Sequence, residues 1–189
     1  MATKPPVEVP QGAIRLNTDS QKLEVFAQDQ WWEMMTGHDP SRGRGIIGGG
    51  SVPGNTNVID YISIASAANA VDFGDLTVAG QHCACASRTR GVFAMGSNVN
   101  TIDYVTIATT GNATDFGDLS VISHGGASMT NSIRGVIAGT YHSPVSPDYS
   151  NAMEYITIAT TGNGADFGDG TVSDTGYCSG CSDSHGGIS

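Results

Sequence analysis

The sequence predicts an all-β protein: three strand-rich repeats of four short strands each, behind an N-terminal β-hairpin arm. Three observations predict it. First, residue usage avoids helix formers. Leucine is confined to Leu16, Leu23, Leu76 and Leu119, and lysine to Lys4 and Lys22, whereas helices draw heavily on both. Ile, Val, Thr and Tyr dominate instead, the residues that fit a pleated surface. Second, glycine accounts for 26 of 189 residues, nearly twice its usual share of about 7%, and supplies turn positions. Third, one pattern of residues recurs three times.

Residues 1–43 stand outside that pattern. Pro5, Pro6 and Pro10 favour an extended lead-in. Gly12 to Asp19 and Leu23 to Phe26 then read as the arms of a hairpin around Ser20-Gln21-Lys22, followed by Trp31 and Trp32. Its apolar residues, Ile14, Leu16, Leu23, Val25, Phe26, Trp31 and Trp32, are candidates for anchoring or oligomerisation, because aromatic and aliphatic rows supply interface area. Thr36 to Gly45 is rich in Gly, Pro and Ser and reads as a linker.

Residues 44–189 divide into repeats at 44–89, 90–133 and 134–189. Each opens on Arg-Gly (Arg44, Arg90, Arg134). Each continues through an acidic-Tyr strand, such as Thr101-Ile-Asp-Tyr-Val-Thr-Ile-Ala, and reaches Asp-Phe-Gly-Asp. The last motif is Asp72-Phe73-Gly74-Asp75, Asp115-Phe116-Gly117-Asp118 and Asp166-Phe167-Gly168-Asp169. Four short strands in about 45 residues is the size of a propeller blade. Repeat three carries an insertion with Tyr141, His142, Pro144, Pro147 and Tyr149, which reads as an enlarged loop. The tail around His185 resembles the start of a fourth repeat and could pair with repeat one.

The repeated motifs carry little chemistry of their own. Asp-Phe-Gly-Asp offers too few oxygens for Ca²⁺, which takes six to eight. It reads as a structural turn, with Gly at positive φ, Asp bonded to local backbone and Phe in a core slot. The recurring arginines read as scaffold contacts, either to backbone or to the repeated Asp. Cys83, Cys85, Cys178 and Cys181 allow free thiols, a disulfide or a Cys₄ zinc site. Repeat two has Gly126-Ala127-Ser128 at the same place, so the fold does not need thiols there, and no cofactor or metal is assigned. The histidines His38, His82, His124, His142 and His185 show no triad pattern. A glycosidase would need converging acids at a set spacing, and the acids here are locked to the repeat. No catalytic residue is assigned.

A net charge of −10 disfavours phosphate-backbone binding, which rests on Lys and Arg. No apolar run reaches the length of a membrane span. Met1 to Pro10 lacks a secretory apolar core, so the chain is expected to be made and kept in a cytosol.

Two stretches resemble known families. GAIRLNTDSQKLEVFAQDQWW, residues 12–32, resembles a hairpin module near the N-termini of bacteriophage tail-fibre and other virion appendage proteins. The repeats resemble those of structural proteins of marine phages, cyanophages especially, and are distantly similar to kelch motifs. The resemblance implies kelch-like blades, as an incomplete propeller or a pseudo-threefold arrangement. It implies a non-enzymatic virion protein, made in the host cytoplasm and located on the particle. Expected partners are other virion proteins, further copies in a homotrimer or other homo-oligomer, and a host cell-surface glycan. Nucleic acid and membrane insertion are not expected. A tail fibre or appendage would display the repeat loops, Tyr141 to Ser150 foremost, for host contact. The alternative is a capsid decoration or head-fibre protein that stabilises the shell.

Overall fold

The computed structural model describes residues 9–18, 22–34, 43–51, 53–141, 149–172 and 178–182. Every regular element among them is a β-strand. The chain divides into two compact units, Met1–Arg42 and Gly43–Ser189.

The first unit is a three-stranded antiparallel meander, β1 (Ile14–Asn17), β2 (Lys22–Ala27) and β3 (Gln30–Glu33). The tryptophans do not follow a hairpin, as the sequence led us to expect. They lie in a third strand, with Trp31 opposite Phe26 and Trp32 opposite Val25. Gln28 and Asp29, both at positive φ (52° and 61°), make the two-residue turn that adds this strand. That mirror-image turn matches the twist of a hairpin.

The second unit contains three antiparallel sheets. Sheet 1 is β4 (Arg44–Gly50), β5 (Thr56–Ser63) and β6 (Val71–Asp75). Sheet 2 is β7 (Cys83–Ala86), β8 (Arg90–Ala94), β9 (Val99–Thr106) and β10 (Thr114–Ser123). Sheet 3 is β11 (Ala127–Thr130), β12 (Arg134–Tyr141), β13 (Tyr149–Thr157) and β14 (Ala165–Asp169). Sheet 1 thus has three strands among the described residues, not four. The strands before the Arg-Gly units at 90 and 134 pair with the strands after them, β7 with β8 and β11 with β12. The boundaries read from sequence, 89/90 and 133/134, therefore cut sheets 2 and 3 after their first strands. The cause is local. Ser87 N donates to Arg90 O and Asn131 N to Arg134 O, closing tight turns. The Asn131 side chain also accepts from the backbone N–H of Ile133 and Arg134, an Asx turn.

The sheets pack face to face in chain order, with one core in each gap. Ile59, Phe73, Leu76, Phe93 and Val105 fill the first. Val92, Ile102, Phe116, Leu119, Ile137 and Ile156 lead the second. Asp-Phe-Gly-Asp lies in a strand each time, which corrects the turn expected from sequence. Its Phe is an extra residue, because Gly74 and Asp72 oppose the consecutive residues Ile59 and Asp60. The same bulge recurs at Phe116 and at Phe167. The bulged glycines have φ of 147°, 148° and 130°, where side chains are strained. At Gly74 and Gly117 a Cβ would also meet the carbonyl oxygens of Gly111 and Gly162.

Candidate functional site

The dominant recurrent feature is a stack of Arg, Tyr and Phe on one face of each sheet. The Arg44 guanidinium lies 4.6 Å from the centre of the Tyr61 ring, Arg90 lies 4.5 Å from Tyr104, and Arg134 lies 4.4 Å from Tyr155. Each Tyr meets its Phe edge-on: Tyr61 with Phe73, Tyr104 with Phe116 and Tyr155 with Phe167, at 6.1, 5.9 and 6.2 Å. Strand alternation sets this up. Arg and Tyr project to the same face of adjacent strands, and the bulge turns Phe onto it. We call this the outgoing face of a sheet, and its reverse the incoming face.

Outgoing faces bind incoming faces through a repeated set of bonds. Arg44 Nη1 donates to Ile107 O at 2.9 Å, and Arg90 Nη1 to Ile158 O at 3.0 Å and Ala159 O at 2.9 Å. Of the two scaffold readings of these arginines, this is the backbone contact. Thr77 N and Oγ1 donate to the Asp103 carboxylate, and Ser120 N and Oγ to Glu154. Gly111 N donates to Phe73 O and Gly162 N to Phe116 O. Asp75 N donates to Asn112 Oδ1 and Asp118 N to Asn163 Oδ1, both at 3.1 Å.

The two end faces of the stack differ from these junctions. Phe73 and Phe116 are each 2% exposed, whereas Phe167 is 46% exposed. Beside it, Met129, Arg134, Val136 and Ser182 line an open depression of about 280 Å³. On the incoming face of sheet 1, Ile47 is 58% and Ile64 71% exposed. The sequence carried a signal for these faces, since Tyr precedes Phe by the same interval in every repeat (61/73, 104/116 and 155/167), with an Arg-Gly ahead of each. Reading the arginines and aromatics as separate motifs hid it.

No protein-family model matches the chain, and no curated protein matches it.

The remaining predicted residues fall in three places. In the first unit, strand alternation puts Ile14, Leu16, Leu23, Val25 and Trp32 on one face. Ile14, Leu16 and Trp32 are exposed there. Phe26 and Trp31 share the opposite face, 5.2 Å apart, with Arg15 over Trp31 at 4.0 Å. Arg15 also pairs with Glu24 at 2.7 Å. Hydrogen bonds from Asn17 and then Arg15 hold the Glu24 carboxyl below its usual pKa.

In the insertion of repeat three, Tyr141 and Tyr149 pair across β12 and β13. His142, Pro144 and Pro147 lie outside the described residues.

The four cysteines are free. Among the described residues no group of three or more His, Cys, Asp or Glu side chains could hold a metal, so the structure does not assemble the Cys₄ set. Burial pushes the Cys83 and Cys85 thiols up to about 12. Cys178 Sγ faces Ala138 O and Gly139 O, and Cys181 is exposed.

Proposed function

We propose that the chain is a non-enzymatic structural protein of a bacteriophage particle, most simply a tail or virion appendage component. Its N-terminal unit is the anchor, its three sheets are kelch-like blades of an incomplete propeller, and its loops face the host. The observation that carries this reading is the division of labour between the units. One small sheet exposes an apolar row, Ile14, Leu16 and Trp32. The larger unit repeats one junction from sheet to sheet. Exposed apolar patches rimmed by polar groups mark interaction sites, and repeat scaffolds display loops while the core holds still. The likeness of residues 12–32 and of the repeats to phage appendage proteins supports the same reading. Partners are then other virion proteins, further copies of the chain and a host-surface glycan at the loop from Tyr141 to Ser150.

The test is deletion of residues 1–43 in the phage that encodes the chain. The expected result is loss of the protein from purified particles while the repeats still fold. Retention on the particle overturns the anchor assignment. Antibody labelling of intact particles locates the protein. Tail signal supports the appendage reading, and uniform head signal replaces it with capsid decoration.

A further inference from the structure

We infer that the two end faces of the stack are a matched pair, so that copies of this chain join head to tail through the contact that already joins its own sheets. The inference rests on the homo-oligomeric reading above and names the surfaces that make it.

The match runs position by position. Arg44 and Arg90 each end on backbone carbonyls, at Ile107 and at Ile158. The same carbonyl on sheet 1 belongs to Ile64, on an open face. Arg134 is the third arginine of the series. It has its Tyr155 ring and no carbonyl acceptor among the described residues. Thr77 and Ser120 donate to Asp103 and Glu154. Thr171 and Asp60 occupy those two positions at the ends, and each lacks its junction partner among the described residues. Asn112 and Asn163 receive the N–H of Asp75 and Asp118. Asn69 and Asp169 are the corresponding pair. The outgoing end therefore presents the Arg, Thr and Asp N–H donors and the incoming end their acceptors, while Phe167 O and Ala68 N stand where Phe73 O and Gly111 N form the one pair that runs the other way. Half-exposed Phe167 at one end meets exposed Ile64 at the other.

The edges match as well. Sheet 1 lacks, among the described residues, the counterpart of β7 and β11. Strand β11 lies beside β7, with Ser128 Oγ bonded to Ala84 O and Thr130 Oγ1 to Ala86 O. Residues 178–182 lie beside β11 in the same way, with Ser182 Oγ donating to Thr130 O at 2.7 Å. The tail thus sits where the first strand of a following sheet would begin. A second copy, docked by its incoming face, brings the open edge of β4 to that place. Such contacts are heterologous, so they close a ring or extend.

Two positions depart from the internal junctions. Gly170 stands where Leu76 and Leu119 are buried, and Ala68 where Gly111 and Gly162 stand. The contact between copies buries less apolar surface than the internal ones. Its association is therefore reversible and depends on concentration.

Sedimentation velocity on the full chain tests this. Species larger than the monomer are expected to grow with concentration. Ile64→Asp blocks the incoming face and Arg134→Glu the outgoing face, and each alone is expected to abolish those species. An equimolar mixture of the two variants retains one good face of each kind, so a 1:1 heterodimer and nothing larger is expected. Ile47→Ser and Phe167→Ser repeat the test at other exposed positions, with circular dichroism checking that each variant folds. A chain that stays monomeric at its solubility limit overturns the inference and the homo-oligomer together. Oligomers that survive both face variants overturn the inference alone and leave assembly to the N-terminal unit. A mixture that does not form the heterodimer overturns the head-to-tail match.

Discussion

The carboxylate of Asp103, on sheet 2, accepts both the backbone N–H and the hydroxyl of Thr77, on the chain that leaves sheet 1, at 2.8 Å each. Asp103 is 1% exposed, so water cannot replace a lost donor cheaply. Thr77→Val keeps the shape and removes the hydroxyl. It is expected to cost about 1–3 kcal/mol, the penalty of a buried acceptor left short of a partner. Urea midpoints measure it, and Thr77→Ser is expected to recover most of the loss. An unchanged midpoint in the valine variant would show that the backbone N–H alone satisfies the carboxylate.

The three bulge phenylalanines divide by position in the stack. Sequence identity leads one to expect equal roles, but only Phe73 and Phe116 lie between sheets. Phe116→Ala is expected to cost about 3–5 kcal/mol, the usual range for a buried ring. Phe73→Ala should cost a similar amount. Phe167→Ala removes a half-exposed ring, and its loss in dilute solution should be well below either. Equal losses at all three positions would mean that the outer face of sheet 3 is covered even in the monomer.

How much of this was legible beforehand follows from the range of the forces involved. The strands were legible, because β-branched runs such as Tyr104-Val-Thr-Ile act locally. The repeat was legible as a pattern of identities. Its boundaries were not, since Arg-Gly opens the run of identities while the strand before it, at 90 and 134, pairs with it. That pairing is made by Ser87 and Asn131, and they differ between repeats. The bulge was missed because Asp-Phe-Gly-Asp has turn composition, while Gly74 is glycine for a different reason: the Gly111 carbonyl stands where its Cβ would go. No local signal encodes that approach across sheets. The apolar residues of the first unit were legible as a set. Their split, with Trp32 on one face and Trp31 on the other, needed the third strand.

The turn at Gln28-Asp29 is strained by composition. Both residues sit at positive φ, which suits Asn and Gly. The Gln11 side chain holds the turn from outside, accepting from Gln28 N and donating to Asp29 Oδ1, both at 3.0 Å. Gln28→Asn with Asp29→Gly is expected to relieve the backbone by about 1 kcal/mol or more. Thermal melting followed by Trp31 and Trp32 fluorescence should shift upward. A downward shift would assign the turn's stability to the Gln11–Asp29 bond.

The thiols should react in a fixed order. Cys83 and Cys85, with pKa raised to about 12 by burial, hold almost no thiolate at neutral pH, and thiolate is the reactive form. Cys181 is exposed. Alkylation of the native protein is expected at Cys181 first and at Cys85 only on unfolding, as read by peptide mass. A chelator should leave the melting temperature unchanged. Protection of all four thiols, lifted together by the chelator, would restore the zinc reading.

Stability should fall on mild acidification, with His82 as one source. Its ring is half-buried, with Nε2 3.1 Å from Val78 O. Burial holds its pKa below the ordinary 6.5, against opposing pulls from the Val78 carbonyl and the Asp103 charge. The unfolded chain titrates near the ordinary value. Well above it the histidine is neutral in both states and contributes nothing to the pH dependence. As pH falls through about 6.5 the unfolded state takes up the proton and the folded state does not, so unfolding gains free energy. The loss is complete once pH passes below the lowered folded value. His124 is shifted in the same direction by burial, so it belongs in the control. The melting temperature is expected to drop between about pH 7.5 and pH 5.5, across the unfolded pKa. His82→Asn should flatten that drop, and His82→Asn with His124→Asn should flatten it further. If the double variant keeps the full pH dependence, the two histidines do not carry it.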